Sequence, residues 1–294
     1  MRSRSTSYES VVRRKPRRCC FLIGLIASCI ATLSAPQSIG AAPEPPLPMA
    51  HAHNDYHHDR PLLDALDHRF CNVEADVFLA GTELLVGHDK SELKADRTLE
   101  SLYLAPLKER AAANGGKIFS DGSRLTLLVD FKTDGPPTYA ALAALLNDYQ
   151  DLVSGFEDGV WTPRAVDVVI SGNRPVAVIE QDATRRAAID GRLSDLQGSA
   201  PVELIPLVSD NWQSHFRWLG EGPMPSQEQA KLRRLAAEAH AQQRRLRFWA
   251  TPDNPRVWRE LRVAGVDLIG TDDLAALHQF LRQETPDAKS GSER

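Results

Sequence analysis

The sequence contains little cysteine, and most of it lies at one end. Cys19, Cys20 and Cys29 stand close to the N-terminus of the 294-residue chain, and Cys71 is the only cysteine in the rest. A single thiol cannot form an internal disulfide, so the sequence excludes a small scaffold held together by disulfides. The remaining chain is long enough to be stabilised by a hydrophobic core instead.

Acidic side chains outnumber basic ones outside the N-terminus. Residues 1–18 carry a net charge of +6 in a chain whose net charge is -4, so the remainder carries -10. Affinity for nucleic acid comes mostly from Lys and Arg side chains that neutralise phosphates. We therefore expect no nucleic-acid partner. The composition, 42% hydrophobic and 25% charged, is that of an ordinary globular protein.

The chain lacks a hydrophobic run long enough to cross a membrane. The run over residues 19–33 follows the basic segment and falls short of the roughly 20 residues that a spanning helix needs. A basic segment, a short apolar run and small residues before Ala41 are typical of a signal peptide. We predict a signal peptide or anchor over residues 1–40 and a Pro-rich linker over 41–48. We expect an exported protein, periplasmic or secreted, that is membrane-anchored and contacts the membrane only if the N-terminal segment is retained or lipidated.

Short β-favouring runs alternate with helical patterns through the rest of the chain. We predict strands over residues 49–53, 72–78, 84–87, 125–131, 166–171, 203–207, 245–250 and 266–270. Eight strands alternating with helices predict an α/β fold, a TIM-type (β/α)8 barrel. The barrel is expected as a single domain over residues 49–283, followed by a flexible tail over 284–294. A doubly wound sheet would need a Gly-rich phosphate loop after its first strand, and the sequence has none.

Carboxylates stand at the ends of two predicted strands. Residues two apart in a strand share a face, so Glu74 and Asp76 project together, as do Asp130 and Lys132. The C-terminal strand ends of a barrel form one rim, which would bring the three carboxylates close to one another. Crowded carboxylates repel unless a cation neutralises them. Because oxygen ligands suit hard ions, we predict one divalent cation, Mg²⁺ or Ca²⁺.

Histidines stand beside the same predicted rim. His51 and His53 share a face just after the first strand, and His88 follows the third. Two imidazoles beside a metal can act as general base and general acid, because imidazole titrates near neutral pH. Lys132 adds a positive charge without being a metal ligand, which suits charge developing on phosphoryl oxygens. These observations leave open whether His51 or His53 is the base.

Four short segments follow one another in a specific order and spacing: His53-Asn54-Asp55-Tyr56, Glu74-Ala75-Asp76, Gly87-His88-Asp89 and Asp130-Phe131-Lys132. Together they resemble the PI-PLC-like phosphodiesterase superfamily, which includes glycerophosphodiester phosphodiesterases, phosphatidylinositol phospholipases C and sphingomyelinases D. The opening segment over residues 51–56 most resembles the branch named for altered-inheritance-of-mitochondria proteins. The resemblance covers residues 49–282 and implies a TIM barrel.

The resemblance also implies catalytic and metal-binding roles. Glu74 and Asp76 match the paired metal ligands of the superfamily, and Asp130 matches the third ligand. His53 and His88 match its two catalytic histidines.

Further positions are implied on the substrate side. Lys132 matches a lysine that contacts phosphate. Asn54, also a candidate for substrate binding, matches the metal-binding asparagine that follows the first histidine in eukaryotic phospholipases C. Trp249, at a predicted strand end, is a further candidate for substrate binding, and His51 stays an alternative to His53.

The sequence thus predicts a metal-dependent phosphoric diester hydrolase acting on a lipid-derived or glycerol-type phosphodiester, with a small-molecule or lipid substrate as its partner. The His-Arg-Gly and Pro-Glu-Asn-Thr signatures of glycerophosphodiester enzymes are missing, so the substrate stays open. One alternative is a metal-dependent amidohydrolase, because His51-x-His53 after the first strand also suits a transition metal. A second is a barrel that binds metal without catalysis.

Overall fold

The computed structural model of the protein describes residues 44–283. The predicted signal peptide, the first three residues of the predicted linker (41–43) and the predicted tail over 284–294 lie outside the described residues. None of the helices within residues 44–283 is long and apolar enough to span a membrane. β-structure begins at Leu47, shortly before the predicted start of the barrel at residue 49.

Strands and helices alternate through the described residues. The strands are β1 (Leu47–Ala52), β2 (Phe70–Ala80), β3 (Glu83–Val86), β4 (Leu125–Phe131), β5 (Gly155–Glu157), β6 (Val160–Thr162), β7 (Val166–Gly172), β8 (Ala188–Gly191), β9 (Leu207–Asn211), β10 (Arg245–Trp249) and β11 (Ile269–Thr271). The α-helices are α1 (Leu63–Asp67), α2 (Ala105–Ala113), α3 (Gly135–Asn147), α4 (Val176–Gln181), α5 (Trp212–His215), α6 (Ser226–Ala241), α7 (Pro255–Ala264) and α8 (Leu274–Gln283).

Eight of these strands form a parallel barrel. Hydrogen-bonded neighbours follow the order β10-β9-β8-β7-β4-β2-β1-β11, and each pair on this path is parallel. A parallel bridge between Arg247 and Leu268 links the two ends of the path. Strands rich in Val, Ile and Leu and buried on both faces suit this arrangement. The predicted TIM-type (β/α)8 barrel is therefore confirmed.

Helix α7 shows how the sequence sets an element boundary on the outside of the barrel. The Asn254 side chain accepts hydrogen bonds from the backbone N–H groups of Arg256 and Val257, and Pro255 occupies the first helical turn. These are favourable N-terminal signals, because the first N–H groups of a helix have no partner within it. The helix ends at Ala264 and is followed by Gly265, whose φ of 88° lies in the left-handed region that glycine tolerates.

Two predicted strands need correction. Residues 84–87 were expected in the barrel, but β3 pairs antiparallel with the extended end of β2 and lies off the barrel path. The tight turn at Gly81, with φ of 65°, folds the chain back and makes this hairpin. The strand expected over residues 203–207 instead covers Leu207–Asn211. The missing barrel strand is β8, whose four residues include a buried Asp190 and offered no β-favouring run.

The inside of the barrel contains one apolar layer. Its side chains are all at most 3% exposed and form a cluster separate from the large core between strands and helices. Burying each of its Leu and Val side chains contributes about 1.5–3 kcal/mol, so the layer helps to hold the barrel together. Polar side chains occupy the barrel interior towards both ends of this layer. The five residues of the layer are Leu128, Val169, Ala188, Leu207 and Leu268.

Candidate active site

Three carboxylates meet at the C-terminal ends of β2 and β4. Asp76 is paired in register with Asp130 on the neighbouring strand, and Glu74 precedes Asp76 by two residues on the same face. One oxygen from each of the three carboxylates lies within 4.8 Å of the other two. Within residues 44–283 this is the one group of three or more His, Cys, Asp or Glu side chains placed closely enough to hold a metal ion.

Lys132 lies between two of these carboxylates. Its Nζ is 2.9 Å from Asp76 Oδ2 and 3.1 Å from Asp130 Oδ1. Burial alone would lower the pKa of Lys132, but the charges of Asp130 and Asp76 outweigh it and raise that pKa. The lysine therefore stays cationic within the cluster and partly neutralises it.

Glu74 is held from the other side by His51 and Arg247. Both contact the same oxygen: His51 Nε2 lies 2.8 Å and Arg247 Nη2 lies 2.6 Å from Glu74 Oε2. Burial would raise the pKa of Glu74, but Arg247 and His51 hold it well below its ordinary value. Burial and the charge of Arg247 lower the pKa of His51 to about 4. His51 is therefore neutral near pH 7, and we assign its Nε2–H as the donor to Glu74.

The remaining oxygens of the cluster fit a divalent cation. Lys132, His51 and Arg247 engage one oxygen of each carboxylate. Asp76 Oδ1 is buried and has no hydrogen-bond partner among the described residues. Burial and the neighbouring Glu74 raise the pKa of Asp76 despite its contact with Lys132. The positive charge around Asp76 is therefore too small to stabilise its ionised form fully. A set of carboxylate oxygens suits a hard ion such as Mg²⁺ or Ca²⁺.

His53 lies on the rim, and its ring contacts the carboxylate of Asp272. Its Nδ1 lies 2.8 Å from Asp272 Oδ1, and the side chain is 37% exposed. His53 follows β1 and Asp272 follows β11, which is the parallel neighbour of β1. The contact fixes the ring and leaves Nε2 for another partner. By contrast His51, two residues earlier, is fully buried.

The loop after β1 is tied to the carboxylates through Tyr56. The Tyr56 hydroxyl lies 2.8 Å from both Asn54 Oδ1 and Asp76 Oδ2. Burial and the charge of Asp76 raise the pKa of Tyr56, so its hydroxyl keeps its proton as a donor. Asn54 has φ of 46°, a left-handed conformation that asparagine tolerates. The Tyr56 hydroxyl thus connects Asn54 to the carboxylate cluster.

His88 reaches the same end by the β2–β3 hairpin. The backbone N–H of Gly87 donates to the carbonyl of Asp76 (3.2 Å), which attaches this segment beside the carboxylates. The His88 side chain is about half exposed; its Nδ1 lies 3.6 Å from a carboxylate oxygen of Asp89. Its ring centroid is 6.3 Å from that of His57. The hairpin therefore brings His88 to the rim without a direct contact to the three carboxylates.

Trp249 lies near His53 on the rim. Together with His53, Arg247 and Asp272 it lines a small cavity of about 100 Å³ at the ends of β10 and β11. The guanidinium of Arg192 stacks over its ring, 4.7 Å from the centroid. Cation–π contacts of this kind hold an indole in place. Trp249 is thus a fixed apolar face next to the exposed imidazole.

Three contacting residues were not singled out from the sequence. Arg247 could have been suspected, because charged side chains alternate with apolar ones along β10. Asp272 could also have been suspected, because it follows a strand end. Tyr56 stood inside a recognised segment, but its contact with Asp76 depends on the turn between them.

Two family models match the chain. Residues 45–189 match the AIM6-like phosphodiesterase domain, and residues 245–275 match the Glycerophosphoryl diester phosphodiesterase family. The two ranges contain the carboxylate cluster, both candidate catalytic histidines and the Arg247–Asp272 side of the rim. Fold and site thus define a phosphodiesterase-like TIM barrel.

Full-length relatives identify the particular family. Altered inheritance of mitochondria protein 6 homolog of Arthroderma benhamiae is 30% identical over 265 residues, which cover 79% of this chain and 82% of that one. Altered inheritance of mitochondria protein 6 of Eremothecium gossypii is 30% identical over 272 residues, covering 80% and 70%. The chain belongs to the altered inheritance of mitochondria protein 6 family, and the resemblance recognised in its sequence is confirmed.

Solved structures with a similar fold include two glycerophosphodiester phosphodiesterases. The one from Parabacteroides distasonis aligns with a TM-score of 0.47 at 16% identity, covering 80% of this chain and 96% of that chain. The one from Agrobacterium tumefaciens aligns with a TM-score of 0.46 at 14% identity, covering 79% and 100%.

Proposed function

We propose that this protein is a phosphoric diester hydrolase that uses one divalent cation, Mg²⁺ or Ca²⁺. The observation that carries the proposal is the cluster of Glu74, Asp76 and Asp130 around Lys132, on the rim where the His53–Asp272 pair stands. Membership of a phosphodiesterase-domain family supports the same reaction class.

The cluster would bind the phosphodiester group of the substrate. Glu74, Asp76 and Asp130 would hold the cation, which when bound offsets negative charge on the phosphoryl oxygens. Lys132 would contact one of those oxygens directly. The positive charge of Lys132 would stabilise the transition state most, because negative charge develops there on the phosphoryl group.

His53 and His88 would move the protons. The attacking oxygen, from water or from a neighbouring hydroxyl of the substrate, forms a bond to phosphorus while the bond to the leaving alkoxide breaks. His53 Nε2 takes the proton from the attacking oxygen, because Nδ1 is held by Asp272. His88 gives a proton to the departing alkoxide. His51 is less suited to the role of base, because it is fully buried and its Nε2 contacts Glu74.

For the substrate we propose a chemical class and two contacting residues. Asn54 and Trp249 stand beside the cluster and beside His53, where they could contact the groups on either side of the phosphate. We propose a lipid-derived or glycerol-type phosphodiester, a class that the match of residues 245–275 supports. The basic and apolar pattern of residues 1–33 supports an exported protein, periplasmic or secreted, anchored if that segment is retained.

The test is hydrolysis of bis(p-nitrophenyl) phosphate by the purified protein, first with a chelator and then with added Mg²⁺, Ca²⁺ or Zn²⁺. His53→Ala and His88→Ala are compared with His240→Ala. The control His240 forms the same kind of pair, with Nε2 2.8 Å from Asp267 Oδ2, but away from the rim. We expect Mg²⁺ or Ca²⁺ to restore turnover and His53→Ala to lose about 10²–10⁴-fold. His88→Ala should lose less on this substrate, because p-nitrophenolate leaves without a proton, and His240→Ala should stay at the wild-type rate.

Other outcomes would point to the alternatives. Turnover of amide substrates restored only by Zn²⁺ would favour the amidohydrolase. Metal-dependent thermal stabilisation with no hydrolysis would favour a barrel that only binds. Wild-type turnover in both His53→Ala and His88→Ala would contradict the proton transfers assigned to them.

A further inference from the structure

A second, larger cavity opens at the N-terminal ends of the barrel strands. Its volume is about 560 Å³. Val169 and Ala188 line it and also belong to the apolar layer across the barrel, so this layer separates the cavity from the carboxylate cluster. Trp161 from the β5–β6 hairpin and Val202 add apolar surface. The polar part of the lining includes Asn72, Thr126, Asp167 and Arg245 from the first residues of several strands, and also Arg124 and Glu203.

Arg245 contributes a cation without a carboxylate partner. Its Nη1 donates to Asn72 Oδ1 (3.1 Å) and to Thr126 Oγ1 (3.2 Å), both of them neutral. The nearby Asp167 is engaged elsewhere, because its Oδ2 lies 3.3 Å from Arg124 Nε and its Oδ1 accepts from the Ser154 hydroxyl. Among the described residues no ion pair involves Arg245.

Such an arrangement is costly unless something neutralises the cation. Burial lowers the pKa of Arg245, and the charges of Asp167 and Asp267 offset this only in part, yet a guanidinium keeps its charge at any pH that the fold meets. Arg245 is half-buried, and a cation that is partly removed from water without an ion-pair partner is stabilised by a bound counter-ion. Arg245 instead lines a space large enough for a small molecule.

We propose that this cavity binds an aliphatic carboxylate, with the carboxylate on Arg245 and the chain against the apolar wall. A planar carboxylate matches the fork of a guanidinium and brings one negative charge to one positive charge. A doubly charged head group is less suited, because Asp167 and the exposed Glu203 also line the cavity. TIM-barrel active sites lie at the opposite end, so this site is independent of the proposed hydrolysis.

The test is calorimetric titration of the purified protein with octanoate. 1-Octanol has the same chain without charge, and acetate has the same charge without a chain. Arg245→Met removes the cation, and Val202→Trp fills the cavity while leaving Arg245 in place. Arg60→Met is the matched control, because Arg60 is an exposed arginine paired with Asp64 and Asp67.

We expect saturable octanoate binding that is at least tenfold tighter than binding of 1-octanol or acetate. Losing hydrogen bonds to a charged group weakens binding by about tenfold to a hundredfold, so Arg245→Met should fall in that range. Val202→Trp should weaken binding, and Arg60→Met should not change it. Equal affinity for octanoate and 1-octanol would overturn the proposal, as would unchanged binding in Arg245→Met. The comparison of the three probes holds even if Arg245→Met does not fold.

Discussion

The two ends of the barrel differ in a way that two arginines of β10 make plain. Arg245 and Arg247 lie two residues apart and therefore share the inward face of the strand. Arg247 contacts the carboxylate of Glu74 at 2.6 Å, at the end where the catalytic candidates lie. Arg245, at the other end, contacts only the neutral side chains of Asn72 and Thr126. The same residue type on the same strand thus forms an ion pair at one end of the barrel and only neutral contacts at the other.

The difference shows what each end lacks. At the C-terminal end three carboxylates face two cations, Lys132 and Arg247, so the cluster keeps a net negative charge. A divalent cation would turn that excess into one positive charge, and a phosphodiester anion would neutralise it. At the N-terminal end the unpaired cation is Arg245, and an anion would neutralise it. The apolar layer lies between the two ends and separates the excess negative charge of one from the unpaired positive charge of the other.

Removing a carboxylate at the acidic end should have the largest effect. Asp76→Asn is expected to lower metal-dependent turnover about 10³-fold, which is the upper range for losing one preorganised charge contact. It should also abolish the rise in melting temperature that Mg²⁺ or Ca²⁺ produces. Asp267→Asn is the control, because Asp267 accepts from Leu246 N–H and His240 away from the cluster. An equal metal-induced shift in Asp76→Asn and wild type would contradict the assigned ligand.

The two arginines should differ in their effect on stability. Arg247→Met leaves Glu74 buried without its main cation, and removing one partner of a buried pair costs about 3–5 kcal/mol. Arg245→Met leaves no charge behind, only two neutral acceptors beside a cavity, and should cost about 1 kcal/mol or less. Urea unfolding at pH 7 with chelator measures both. The double variant Arg247→Met, Glu74→Gln should recover part of the loss. Equal losses in the two single variants would mean that the two ends do not differ as described.

The acidic end was readable from the sequence because it depends on local periodicity. Glu74 and Asp76 belong to one strand, and alternation alone puts them on one face. Asp130 joins them because its strand is the next parallel neighbour, and that follows from barrel topology. Their convergence therefore required only the right fold and the right strands.

Other parts depend on pairings that sequence patterns do not encode. The His53–Asp272 contact joins residues 219 positions apart, and only barrel closure brings β11 beside β1. The composition of β3 is that of a barrel strand, whereas its antiparallel pairing is set by the turn at Gly81. Strand β8 escaped detection because Asp190 occupies an interior position, where Ser171 and Ser209 satisfy it. Polar residues inside the barrel thus obscured the pattern that predicts strands.

Asp55 offers the smallest and most specific test of the acidic end. It follows Asn54 on the rim and is fully buried, and its Oδ2 accepts from Leu62 N–H and the Tyr103 hydroxyl. Oδ1 has no hydrogen-bond partner among the described residues. Burial raises the pKa of Asp55 from 3.8 to about 6. Within residues 44–283 no cation pairs with this carboxylate, in contrast to Glu74.

The direction of the pH effect follows from that raised pKa. Between about pH 4 and 6 the folded state binds a proton at Asp55 that the unfolded state has released, so this group makes the fold more stable as the pH falls through that range. The difference in unfolding free energy between wild type and Asp55→Asn should therefore shift towards wild type by about 1 kcal/mol from pH 7.5 to pH 5. Urea unfolding of both proteins at the two pH values measures it, and other titrating groups largely cancel in the difference. A difference that stays constant, or shifts towards Asp55→Asn, would show that the carboxylate is solvated or paired in the folded protein.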